Sequence, residues 1–307
     1  LFDRSMGTHF FDAEKGDTLV YQHIFWFYSH PAVYIMVLPG FGIISEVIAT
    51  NSRKPIFGYR TIAFSTVAIA VLGFSVWAHH MFVAGLETWL RVPMMLSSML
   101  IAVPTGIKIF SWLGTMWRGV LQMNTAMLFA CGFLWTFVIG GLTGVMVASV
   151  PFDIHVANTY FIVAHLHYVL FGGSVMTLFA GLYYWYPKVT GRLIDEGRGR
   201  LHFWLTFVSL NCTFFPMHLL GLEGMPRRVQ DYAPRFESWN LFISLASFVL
   251  GASTIVFVAN AVRSARHGQP AGANPWRSLT LEWALSSPPP MFNFPAQPRV
   301  VGGPYRY

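Results

Sequence analysis

"WFYSHPAVYIMVLPGFGIISE", Trp26 to Glu46, decides the fold class. At about 1.5 Å per helical residue it crosses the roughly 30 Å of a bilayer core. It carries no Lys, Arg or acid before its final glutamate. Yet His30 and Tyr34 stand one helical turn apart within it, flanking Pro31. An imidazole and a phenol at membrane depth cost free energy unless each has a partner or a task.

The whole chain has the same character. Its 307 residues are 54% hydrophobic and 17% aromatic, and only 11% are charged, against about 25% in soluble domains. A soluble fold is excluded. The net charge of +7 sits mostly in short loops between apolar runs, where it sets topology, and forms no stripe of the kind that tracks phosphates, so no nucleic-acid partner is expected. Cys131 and Cys212 lie far apart inside apolar runs and read as small buried residues. About seven segments approach membrane-spanning length, near 22–49, 60–86, 92–114, 124–149, 158–187, 201–222 and 238–262. The expected fold is an all-α polytopic membrane helix bundle over residues 1–262, followed by an extended, Pro-rich tail over 263–307 on the cytoplasmic side. The residues before Gln22 show no signal-peptide pattern.

Counting Lys and Arg at segment ends orients the bundle. Arg53, Lys54, Arg60, Arg118, Lys188, Arg192, Arg198, Arg200, Arg263 and Arg266 fall on one side, which is cytoplasmic by the positive-inside rule. Arg227, Arg228 and Arg235 break the rule on the outer side, and an Arg pair placed against the bias calls for a fixed anion. Depth follows from helical rise: His30 lies about 12 Å below the outer end of the first segment, and His79 and His80 about 9 Å below that of the second. His165 and His167 lie at a similar depth in the fifth. A single imidazole there reads as an interhelical hydrogen bond. Five at one level point to metal, because neutral imidazole ligates copper and iron. His79 and His80, about 100° apart on a helix, reach one ion only if the ion sits against the helix or the helix is distorted. His30 would complete a three-imidazole site. His165 and His167 are about 200° apart and face opposite sides, so one helix can hold a heme on each face. His23, His155, His202 and His218 read as interfacial or structural.

The set "WFYSHPAVYIMVLPGFGIISE", "WAHHMF", "VPTGIKIFSWL", "NTYFIVAHLHYVLFGG" and "GMPRRVQDY" resembles the carboxy-terminal two-thirds of subunit I of heme-copper oxidases of the cytochrome c oxidase type, from about Phe11 to the tail. That family has a twelve-helix fold. The resemblance implies that His30, His79 and His80 bind the copper CuB and that Tyr34 is covalently joined to His30, a bond that i to i+4 spacing allows. It implies two hemes, of the heme a and heme a3 type. His165 would ligate the high-spin heme iron and His167 the low-spin one, with Arg227 and Arg228 on the propionates, Asp153 near them and Trp26 near copper. Lys108, with Thr105, resembles the lysine of a proton channel leading up to Tyr34. A lysine at that depth otherwise reads as snorkelling to the interface.

The chain departs from the family pattern in three places. Ala32 stands where many relatives have a proton-donating glutamate, and Tyr28 and Ser29 match a subgroup in which that pair takes over proton handling; without the resemblance Tyr28 reads as a packing aromatic. Ala157 and Asn158 stand where relatives commonly have the His-Asp ligands of magnesium. Alanine cannot ligate and Asn offers a neutral oxygen, so a conventional magnesium site is not expected. The family's first five helices, with the other axial His of the low-spin heme, are not in this sequence, so a companion chain or a further segment of the same protein is expected to supply them.

The function so implied is the catalytic subunit of a proton-pumping respiratory terminal oxidase, reducing dioxygen to water with electrons from cytochrome c. Its expected partners are a subunit II carrying the electron-entry copper site, a subunit III, and cytochrome c or a fused cytochrome domain, in a bacterial inner membrane. Two alternatives stand beside it. Nitric oxide reductase of the same superfamily would use nonheme iron with nearby carboxylates and no proton-active tyrosine. An ion-coupled transporter could also bury His, Lys and Tyr, but without heme.

Overall fold

The computed structural model describes residues 1–12, 14–300 and 302. Among them the chain is helical without named strands, and β-pairing is confined to isolated bridges between Thr159 and Pro226 and between Arg192 and Pro270. A short helix α1 (Phe2–Ser5) precedes α2 (Thr18–Ser52). Asp17 caps α2, its carboxylate accepting from the backbone N–H groups of Leu19 and Val20. Six stretches among the described residues are long and apolar enough to cross a membrane: Thr18–Ser52, Thr88–Met116, Thr125–Ala148, Tyr160–Thr190, Glu196–Leu222 and Pro234–His267. The chain is a multi-pass membrane protein.

Of the segment expected near 60–86, the structure forms only the first part as α-helix. Helix α3 (Tyr59–Gly73) is only 15 residues long. The chain then leaves the α-helix, and Trp77–Met81 forms a 3-10 turn. Gly73 sits where α2 and α3 touch, and a Cβ there would lie 2.8 Å from Cδ2 of Tyr34. Glycine permits that approach and also propagates a helix poorly, which suits the place where α3 stops.

Helices α4 (Thr88–Leu100) and α5 (Ala102–Met116) make the next span with a joint at Ile101. Helix α6 (Thr125–Ala148) starts at Asn124, whose side-chain carbonyl accepts from Met127 N. The short α7 (Val150–Val156) occupies what reads in the sequence as a plain connection, started by a proline in its first turn. Helix α8 (Tyr160–Leu170) passes through a π-turn at Phe171–Val175 into α9 (Met176–Thr190). Helices α10 (Glu196–Leu222) and α11 (Glu237–His267) complete the bundle.

The main core joins α2, α5, α6 and α9 through Phe41, Ile44, Ile48, Trp112, Phe133 and Tyr184. Where α10 crosses α8, a Cβ on Gly221 would lie 2.0 Å from the Phe161 nitrogen, so only glycine fits that crossing. The basic loops gather at one end of the bundle. There Arg53 donates to Arg277 O and Gln122 Oε1, Lys54 to Gly114 O, and Arg192 to Gly268 O.

The tail, expected as an extended surface segment, is fastened to this end. Helix α11 continues past 262 to His267. Beyond it, Ser278 and Trp283 are buried. Lys188 of α9 donates to Ala273 O, Leu285 O and Ser286 O at 2.9, 2.8 and 3.2 Å, with its ammonium 4.8 Å from the Trp283 ring. Tyr184 and Thr50 hydrogen-bond Ser278.

Candidate metal centre

Trp26, His30 and Tyr34 recur every fourth residue, so they form one row along α2. The 3-10 turn faces that row. Its tighter winding is the distortion that two adjacent histidines need, and it aims both His79 and His80 at α2. Ring centroids of His30 lie 4.6 Å from His79 and 5.2 Å from His80, and His79 and His80 are 4.3 Å apart. The ligand atoms of the three residues all lie within 4.8 Å of one another.

Neighbours fix each ring. Ser98 of α4 meets His79 Nδ1 at 2.8 Å, Trp26 stacks on His80 at 3.9 Å with planes 15° apart, and His30 Nδ1 shares a hydrogen bond of 3.0 Å with His80 Nε2. His30 Nε2 is buried with no hydrogen-bond partner. An orphaned imidazole nitrogen beside two further imidazoles, with no carboxylate in the group among the described residues, is a donor set that fits a copper or iron ion. The Tyr34 ring lies 4.7 Å from that of His30 at 62° and is backed by Gly73.

On α8 the two remaining histidines diverge as their spacing demands. His165 Nδ1 lies 3.1 Å from both Gly140 O and Thr143 Oγ1, so its ring is turned to α6. His167 is turned to α10, where it stacks on Phe214 at 4.2 Å, and its Nδ1 lies 2.8 Å from Val163 O. In both residues Nδ1 is engaged, which leaves Nε2 as the nitrogen that would hold a heme iron.

At the outer end, the bridge between Thr159 and Pro226 ties the loop after α10 to the start of α8, and Arg227 N donates to Asn158 O at 2.9 Å. Arg227 is partly buried and its Nε has no partner. Arg228 is exposed, with a positive φ of 63°. Asp153 is buried nearby on α7. Burial pushes its carboxyl up to about 7, while the Arg227 guanidinium pulls the other way. Ala157 and Asn158 bring no carboxylate or imidazole here, so the residues present do not fit a magnesium ion.

Lys108 is buried, and its amine turns inward to α3 rather than toward the interface. It donates to Thr66 Oγ1 and to Ile62 O and lies 5.4 Å from the Phe41 ring. Thr105, one turn away, hydrogen-bonds its own helix at Ile101 O. Tyr28 is 72% exposed on this chain and stands apart from the cluster, and Ser29 is half-buried. Of the other histidines, His23 accepts from Trp77 Nε1, His202 meets Tyr183 and His218 Nδ1 lies by Phe215 O, all structural pairings, while His155 is exposed. Sequence reading missed Ser98, Thr143, Thr66 and Gly73. Each is a small residue in an apolar helix, and only the hydroxyls among them carry a signal.

Residues 1–254 match the family described as Cytochrome C and Quinol oxidase polypeptide I. The chain belongs to that family. Over 307 residues it is 60% identical to the cytochrome c oxidase subunit 1 of Synechocystis sp., covering 100% of this chain and 56% of that one. It is 55% identical to the cytochrome c oxidase subunit 1 of Thermostichus vulcanus with the same coverage, and 52% identical to a probable subunit 1-beta of Nocardia farcinica, covering 97% and 51%. The chain therefore spans about half the length of the curated relatives it matches. A heme-copper terminal oxidase solved as a dimer by cryo-electron microscopy superposes with a TM-score of 0.75 at 19% identity, over 82% of this chain and 50% of that one, and shares the fold. Among the described residues, the clustered histidines of α2 and the 3-10 turn are the one group of three or more His, Cys, Asp or Glu side chains close enough to share a metal ion.

Proposed function

We propose that this chain carries the oxygen-reducing centre of a bacterial respiratory terminal oxidase, multi-pass in the inner membrane, that takes electrons from cytochrome c, pumps protons and works with a subunit II, a subunit III and the helices its relatives carry ahead of this region. The observation that carries the reading is the set of three imidazoles with ligand atoms within 4.8 Å at membrane depth. His30, His79 and His80 would hold copper, and His165 and His167 the two hemes, with Arg227, Arg228 and Asp153 at the propionates. When bound, these groups supply the electron transfer to dioxygen.

The residues of the chain do the rest. Ser98 and Trp26 orient His79 and His80, and Gly73 backs the Tyr34 ring beside His30, from where its phenol would give a proton. Lys108 and Thr105 would bring protons from the cytoplasmic end, where the basic loops gather. Tyr28 and Ser29 would order water or protons on the outer face of α2 once the neighbouring helices cover it. Nitric oxide reductase chemistry would call for a carboxylate among the histidines, and the group contains none among the described residues. The test is a reduced-minus-oxidised spectrum with pyridine hemochrome analysis and metal quantitation. Two hemes with copper in excess of that held by the electron-entry site of subunit II support the oxidase. Iron without copper means the reductase, and no Soret band means neither. Full oxygen consumption by Tyr34→Phe would overturn the role given to Tyr34.

A further inference from the structure

His165 of α8 lies against a short stretch of α6 made almost without side chains. Thr143 and Gly144 follow Gly140 by three and four residues, which puts all three on one face of α6. A Cβ on Gly140 would lie 2.8 Å from Val169 Cγ1 and 3.1 Å from the Val169 nitrogen, so the two backbones touch there. A Cβ on Gly144 would lie 3.1 Å from His165 Cε1, so the imidazole edge rests on the α6 backbone itself. Thr143 is the one side chain in this seam with a polar atom. Every contact in it is made within the chain.

Two oxygens stand within reach of His165, and counting lone pairs separates them. Nδ1 lies 3.1 Å from Gly140 O and 3.1 Å from Thr143 Oγ1. A neutral imidazole that ligates iron through Nε2 carries its proton on Nδ1, so Nδ1 is the donor. Gly140 O is already in demand. The α-helix brings it the N–H of Gly144, and Thr143 Oγ1 lies 3.0 Å from it. A carbonyl oxygen has two lone pairs, so a third donor is one too many. Thr143 has a single proton, which goes to Gly140 O or to Ile139 O, each at 3.0 Å, as helical threonines commonly donate to their own helix. In either state its oxygen keeps lone pairs for the imidazole.

We infer that Thr143 is a positioning residue for the histidine assigned to the high-spin heme iron, a role that rests on that assignment. Its hydroxyl oxygen accepts the Nδ1 proton of His165 and diverts it from Gly140 O, and Gly144 sets how close the ring stands to that oxygen. An alcohol oxygen is a weaker acceptor than an amide carbonyl. The diversion therefore keeps the imidazole less basic, and an iron held at Nε2 stays more easily reduced.

The test uses the purified complex with its hemes, read by the iron–histidine stretching band in resonance Raman and by the midpoint potential of the high-spin heme. Thr143→Val keeps the shape and removes the oxygen, so Nδ1 turns to a carbonyl that has also lost a competing donor. The band should rise, and the ferric-to-ferrous equilibrium should shift about tenfold toward ferric, which is about 59 mV for one electron. Thr143→Ser keeps the oxygen and should hold the parent values. Gly144→Ala pushes the ring off α6 by a few tenths of an ångström and lengthens the bond, so band and potential should move the opposite way. The proposal is overturned by an unmoved band and potential in Thr143→Val, by Thr143→Ser behaving as the valine variant, or by Gly144→Ala shifting in the same direction as valine. Should the valine variant take up no heme, an unmoved band in Gly144→Ala overturns it. A parent band that survives His165→Ala overturns the heme assignment as well, which separates the two failures.

Discussion

Replacing Gly73 with alanine probes whether Tyr34 is held by the backbone behind it. The added Cβ would lie 2.8 Å from Tyr34 Cδ2, 3.3 Å from Cε2 and 3.4 Å from Cγ. Carbon atoms settle at about 3.5–4.0 Å, so the ring must retreat by roughly 1 Å. It has little room, since His30 stands on the same row of α2 with its ring 4.7 Å away. Overpacking of this kind costs about 1–3 kcal/mol, and alanine returns up to about 1 kcal/mol through helix propensity. The net loss of stability is therefore small. The loss of geometry is not, because a displacement of about 1 Å at a reacting group can cost on the order of 100-fold in rate. The complex should keep its heme absorbance and melt within a few degrees of the parent, yet consume oxygen far more slowly in an electrode assay. Gly42→Ala serves as the control, because a Cβ on Gly42 would meet nothing within 4 Å. If Gly73→Ala turns over as fast as Gly42→Ala, Tyr34 is not held in the way described.

Other residues offer independent checks. Lys108→Met removes the amine that α3 binds at Ile62 and Thr66; if it passes protons, oxygen turnover should fall about 100-fold with heme and copper content unchanged. Asp153, raised from 3.8 to about 7, favours its neutral form in the folded state, so its contribution to stability is fully present below 3.8 and is lost as pH rises through about 7. Asp153→Asn should therefore flatten the fall in melting temperature between those values, and an unchanged slope would rule the carboxyl out as its source. Trp283→Ala empties a buried site under the tail and should cost about 3–5 kcal/mol locally. Limited proteolysis should then release the segment after His267 far faster than in the parent.

The convergence of His30, His79 and His80 was legible because it depends on helical rise, a local property of the chain. The opposite facing of His165 and His167 was legible for the same reason, and their contacts with α6 and α10 bear it out. The break in the segment near 60–86 was not, because "FSVWAHHMFVAGL" is as apolar as a helix would be and hydropathy does not register the 3-10 turn at Trp77–Met81. Lys108 was legible as a polar group at depth, whereas Thr66, its partner 42 residues earlier, was hidden by distance along the chain. Prolines and polar residues mark the tail as extended, and composition does not register its anchors Tyr184, Lys188 and Thr50, supplied by helices far away in sequence.

The π-turn at Phe171–Val175 gives the span Tyr160–Thr190 two helical phases instead of one. A π-turn accommodates one extra residue, worth about 100° of rotation in an α-helix. Above it the phase aims His165 and His167 at α6 and α10. Below it a different phase aims Tyr184 at Thr50 and the tail. Deleting either Gly172 or Gly173 would leave the span apolar and long enough to cross, yet would turn Tyr184 and Lys188 out of their sockets by about that angle. Chain length at this point, more than residue identity, keeps the two ends of the bundle in register.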